Sequence, residues 1–215
     1  MPMAKQIVAV FLLMVATAFS AYSQEPSQST PQNSSQQATT SPSPQPTPTP
    51  DYVFPTNGER FRRYVKSTVG PFPLARIAAS AGIQQASDSP EEWGQGAKGY
   101  GKRFASGFGR NAIQQTITYG LDEAFDLDTG FQRSKRSGFG PRFKHALLDN
   151  VTSRTRSGNR VLSAPRLIGV YSAGVISHET WYPERYNYKD GLRSGTTTLL
   201  TGFGINLVRE FLFNW

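Results

Sequence analysis

The first apolar run of the chain, Ile7 to Phe19, stands behind the lone cation Lys5. A run of that length matches the core of a signal peptide and is short for a bilayer span, so residues 1–23 are predicted to direct export. Cleavage is expected after Ser23, in the small-x-small pattern Ala21, Tyr22, Ser23, or after Ser20. From Gln24 to Pro50 the pattern disappears. Gln, Ser, Thr and Pro fill the stretch, with Ala38 its one aliphatic side chain and Glu25 its one charge. Such a composition cannot bury a core and predicts a disordered tether over residues 24–50.

From Asp51 onward apolar positions recur at helical spacing, and alternating strand patterns are scarce. Thr56 and Glu59 form a capping-box pair ahead of RFRRYVKSTV, which Gly70, Pro71 and Pro73 bring to an end. A second helix is predicted from about Leu74 to Ala86, with Ala78, Gly82 and Ala86 as a small-residue packing face. A third is predicted to open at Ser89, Pro90, Glu91 and Glu92 and to run to about Phe125. A fourth opens at Pro141 and carries Phe143, Ala146, Leu147 and Val151 on one face. A fifth follows Ser163 with the small row Gly169, Ala173 and Ser177, and a sixth runs from about Asp190 to Phe213. The expectation is an all-α fold: one domain over residues 51–215 with about six helices.

Inside the third helix lies GQGAKGYGKRF, residues 94–104, which raises the question of a phosphate loop. Gly94, Gly96 and Gly99 match a dinucleotide fingerprint, while Gly96, Gly101 and Lys102 match a P-loop until Arg103 takes the magnesium-ligating Ser/Thr position. No strand precedes the glycines, and Glu91 and Glu92 bring the wrong charge to a helix start that would hold an anion. No nucleotide and no cofactor are therefore expected. The glycines suit a packing face instead, because Ala97, Gly101, Ala105 and Gly109 fall at four-residue spacing, as helices in close contact require.

The segments EEWGQGAKGYGKRF, FKHALL, SAPRL and WYPERY resemble a family of exported bacterial proteins for which no activity is known. The resemblance covers residues 52 to 215 and implies export and a helical domain; it supplies no catalytic residues.

Charge changes the picture next. The chain carries a net +8, and Arg133, Lys135, Arg136, Arg142, Lys144, Arg154, Arg156, Arg160 and Arg166 face only Asp149 between residues 133 and 166. Nine cations against one acid account for the whole excess. Read as loops, RSKRSGFGPRF and SRTRSGNRV make Arg133, Lys135, Arg136, Arg142, Lys144, Arg154, Arg156 and Arg160 an anion-binding set. Anionic lipid, lipopolysaccharide or another envelope polyanion is the partner expected, with self-association of copies through the glycine faces. Export argues against nucleic acid, although Phe131, Phe139 and Phe143 interleave the cations. The localisation expected is the periplasm or the periphery of the cell envelope.

Catalytic chemistry has little to draw on. Cysteine is absent, which excludes thiolate metal sites, and His145 and His178 show no ligand spacing, so no metal is expected. Asp126, Asp128 and Gly130 echo a calcium loop, but Ser137 stands where its bidentate glutamate belongs. His178 with Glu179 is the one acid–base pair worth testing, as the centre of an envelope hydrolase. A non-enzymatic binding or scaffolding role is the first expectation.

Overall fold

The computed structural model describes residues 52–131 and 138–211. Among them, six α-helices and a small antiparallel sheet form the fold, in the order α1 (Asn57–Val69), α2 (Pro71–Ala86), a 3-10 turn (Glu91–Trp93), α3 (Gly96–Ala124), β1 (Leu127–Asp128), α4 (Phe139–Asp149), β2 (Thr152–Thr155), β3 (Arg160–Leu162), α5 (Ala164–Thr180) and α6 (Tyr188–Phe211). The fold is helical, as the apolar spacing predicts.

Helix α1 starts where its capping box places it: the Thr56 hydroxyl accepts from the Glu59 amide, and the Thr56 amide donates to the Glu59 carboxylate at 2.9 Å. Gly70 ends it, since a Cβ there would stand 2.2 Å from the Lys66 carbonyl oxygen. Helix α2 begins at Pro71 rather than Leu74, because prolines are tolerated in a first turn whose amides have no helical partner. Its buried stripe is Pro73, Ile77 and Ala81, one position round from the predicted Ala78, Gly82, Ala86 row.

The 29-residue α3 is the axis of the molecule, with α1, α2 and α5 packed along it. It does not start at Ser89. Glu91–Trp93 make a single 3-10 turn, Gly94 breaks the backbone at φ +69°, and the helix begins at Gly96. Helices α5 and α6 form an antiparallel pair held close by glycine. A Cβ on Gly174 would lie 2.3 Å from the Gly191 carbonyl oxygen, and one on Gly195 would lie 2.6 Å from the Tyr171 ring. Gly169, Ala173 and Ser177 are all buried, as their spacing predicts.

The interior is unusual in what it holds. Among the described residues, seven apolar side chains other than proline are buried, including Ile77, Leu121 and Val170, against seventeen polar or charged ones, including Arg103, Asp128, His178 and Glu210. A further seventeen large apolar side chains are exposed, so much of the apolar surface of the helices faces outward. The region read as basic loops contains the sheet: β2 and β3 form a hairpin through Gly158 at φ +81°, and β1 pairs with β2. The all-polar TSRT of β2 lacks the alternation that reveals a half-buried strand.

Candidate functional site

The glycine stretch resolves first. The loop from Gln85 to Gly94 wraps a guanidinium: Arg103 Nε donates to the Ser89 carbonyl at 3.0 Å, Nη1 to Gln85 Oε1 and the Gly94 carbonyl at 2.6 Å each, and Nη2 to the Pro90 carbonyl at 2.8 Å and Asp88 Oδ1 at 3.3 Å. A phosphate loop presents amides to an anion; this one presents carbonyls to a buried cation. Arg103, the residue that departs from the P-loop pattern, is the ligand around which the loop is built. Gly99 sits over it, where a Cβ would be 2.0 Å from the Gly94 carbonyl oxygen.

The predicted packing row moves to the surface. Ala97, Gly101 and Ala105 are exposed, and a Cβ on Gly101 would meet nothing within 4 Å. Only Gly109 is covered, by Trp181, whose ring would lie 3.5 Å from an added Cβ. Ala105 and Gly109 thus floor an open groove of about 490 Å³ between Trp93 and Trp181. The row fails as an internal seam because the inward stripe of α3 runs instead through Gly99, Arg103, Ser106 and Asn111.

The basic set divides. Arg142 donates from Nε to Glu210 Oε1 at 3.0 Å and to the Glu210 carbonyl, Arg160 pairs with Asp149 at 3.5 Å and donates to His145 Nε2 at 2.6 Å, and Arg156 pairs with Asp126 at 2.8 Å. Arg154 lies over the Tyr52 ring, and half-buried Arg166 donates to the Asp149 and Thr129 carbonyls. Much of the charge read as surface is therefore compensated inside the hairpin and under α4. Lys144 is exposed. Arg133, Lys135 and Arg136 lie outside the described residues.

His178 is packed rather than presented. Its ring stacks on Tyr182 at 4.1 Å, meets Tyr186 edge-on, and donates from Nδ1 to the Gly174 carbonyl at 2.8 Å, one turn back along α5. Burial holds its pKa below the ordinary histidine range. Neither a hydrogen bond nor an ion pair joins it to Glu179, since consecutive helical side chains point about 100° apart. The acid–base pair is not assembled. Asp128 is likewise engaged, accepting from Tyr52 Oη at 2.8 Å, Arg63 Nη1 at 3.2 Å and the Gly130 amide at 2.9 Å. No metal-holding group of three or more His, Asp or Glu side chains occurs among the described residues.

What the sequence reading missed is the direction of the apolar faces. On α4 the inner side holds Ala146 with the polar Arg142, His145 and Asp149, while Phe139 is 71 % exposed and Phe143, Leu147 and Leu148 are partly exposed beside Lys144. On α1 the inward residues are Arg60 and Thr68, and Phe61, Val65 and Val69 form an outward stripe between Arg62 and Lys66. Two separate groups of rings meet the end of α6. Phe139 packs on Phe211, and Phe143 stands edge-on to Phe203. Arg142 covers the Phe211 ring at 4.5 Å. Arg209 lies over Phe72, just beyond Val69, and over Phe131. Phe131 and Phe139 flank the cationic run Arg133–Arg136 in the chain and fall one in each group. The i, i+4, i+8 spacing of both stripes is visible in sequence; which way they face is not.

No family model matches the chain, and neither a curated protein nor a solved structure matches it.

Proposed function

We propose that this chain is an exported, non-enzymatic protein of the cell envelope that docks on an anionic lipid surface. The observation that carries the reading is the outward face of α4, where Phe139, Phe143 and Leu147 are exposed beside Lys144. Exposed apolar clusters of this kind mark interaction surfaces, and cations beside them favour a partner that is apolar within and anionic at its rim. No described helix is long and apolar enough to cross a membrane, so the patch would dip into the headgroup layer and the bundle would stay outside it.

Each exposed Phe that leaves water is worth about 1.5–3 kcal/mol, and each cation near an anionic membrane about 1 kcal/mol. Phe139 and Phe143 with Lys144 thus supply affinity that salt weakens without abolishing. Sedimentation with vesicles tests this. The chain should pellet with anionic vesicles and less with neutral ones, and Phe139→Ser with Phe143→Ser should weaken binding about tenfold or more. Equal pelleting with both lipids, or none with either, contradicts the reading.

A further inference from the structure

Where α2, α3, α5 and α6 meet, a partly enclosed cavity of about 50 Å³ is lined by Arg76, Ser80, Arg110, Asn111, Ser194 and Thr198 among others. Its polar lining is basic or neutral and holds no carboxylate. Arg76 donates to Asn111 Oδ1 at 3.2 Å and Arg110 to Ser194 Oγ at 2.5 Å, and neither guanidinium forms an ion pair among the described residues. Two half-buried cations thus share one cavity without an anion of the protein's own. Such an arrangement is unfavourable unless a counter-charge enters.

We propose that this cavity is a binding site for one phosphate-type oxyanion, held between the Arg76 and Arg110 guanidinium groups with the Ser80, Ser194 and Thr198 hydroxyls as further donors. A guanidinium offers five N–H donors in a planar fork, so most of the donor capacity of both arginines is available after the two bonds to Asn111 and Ser194. The fork matches tetrahedral oxyanions bidentately. A volume of about 50 Å³ holds a few waters or one such group, and is far too small for a nucleoside. Burial, and after it the positive charges of Arg110 and Arg209, push Arg76 below its ordinary pKa, a shift that an anion in the cavity would reverse. Arg209, which lies over Phe72 and Phe131, also brings the exposed α1–α2 corner close to this field, so the phosphate is either free or carried by a headgroup. The site does not depend on membrane docking, and the two can fail separately.

The test uses the full chain in solution without lipid, at ionic strength fixed with chloride. Inorganic phosphate and glycerol phosphate are titrated while the melting temperature and the heat of binding are followed. A saturable rise in melting temperature with either is expected. Binding of both assigns the phosphate alone as the determinant, whereas binding of glycerol phosphate only assigns a headgroup. Arg76→Gln keeps a donor for Asn111 and removes the charge. It should melt no lower than the parent in chloride and lose at least tenfold in phosphate affinity, because the unneutralised repulsion disappears with the site. Arg110→Lys, which keeps the charge and loses the fork, should weaken binding while retaining part of it. Absence of a saturable response to either ligand overturns the proposal, as does a response unchanged in Arg76→Gln. So does a lower melting temperature of Arg76→Gln in chloride, which would make Arg76 a purely structural residue.

Discussion

Arg103 decides the meaning of the glycine stretch. As a P-loop position it reads as a mismatch, and only the fold shows that the mismatch is the organising residue, drawing three carbonyls, a carboxylate and an amide oxygen around it. Arg103→Gln would take the shared donor from this loop and leave the buried Pro90 carbonyl unpaired, and should cost about 3 kcal/mol, measured as a shift of the denaturant midpoint. Asp122 is a second residue with a measurable signature. Burial raises its pKa to about 7, above the 3.8 of an ordinary Asp, while Thr129 donates to its Oδ2 at 2.5 Å. Between those two values the folded chain holds a proton that the unfolded chain has released, so stability contributed by this group falls as pH rises through that window. The melting temperature should drop from about pH 5 to pH 8, and Asp122→Asn should flatten the profile. Wild-type and Asp122→Asn profiles of the same slope over this range would contradict the assignment. Neither residue was legible beforehand, because burial of a charge is a tertiary property. The Thr56–Glu59 box, a purely local interaction, was.

At the scale of elements, the existence of the helices was legible and their orientation was not. Proline and capping signals place α1 and the start of α5 to within a residue, because they act within one turn. Small residues recur every fourth position in α3 and α5 alike, yet those of α5 are buried and Ala97, Gly101 and Ala105 of α3 are exposed. Spacing fixes a face without saying which way it looks. This difference predicts opposite signs for one kind of substitution. Gly101→Ala adds a methyl in open space and should stabilise by about 0.5–1 kcal/mol through helix propensity alone. Gly174→Ala forces a methyl to 2.3 Å from the Gly191 oxygen and should destabilise by about 1–3 kcal/mol. Thermal melts of the two variants suffice; equal shifts would refute the α5–α6 contact. The β2–β3 hairpin escaped notice because its strands are short and β2 is all polar, and it is the element that turns Arg154 and Arg160 inward.

For the whole molecule, the excess of +8 and the outward-facing apolar surface belong together. Charge counting located the excess between residues 133 and 166, but Arg142, Arg156 and Arg160 meet acids of the same chain. Attachment therefore rests on fewer free cations and on side chains the sequence alone would assign to a core. The central claim is that Phe143 and its neighbours enter an anionic lipid layer. Because the chain has no cysteine, Phe143→Cys and Ser87→Cys can each carry a single environment-sensitive fluorophore, one in the patch and one on an exposed polar turn. On addition of anionic vesicles, the account predicts a blue-shifted, brighter signal at position 143, quenched by brominated acyl chains, and no change at position 87. No change at position 143, or the same change at both positions, would contradict it.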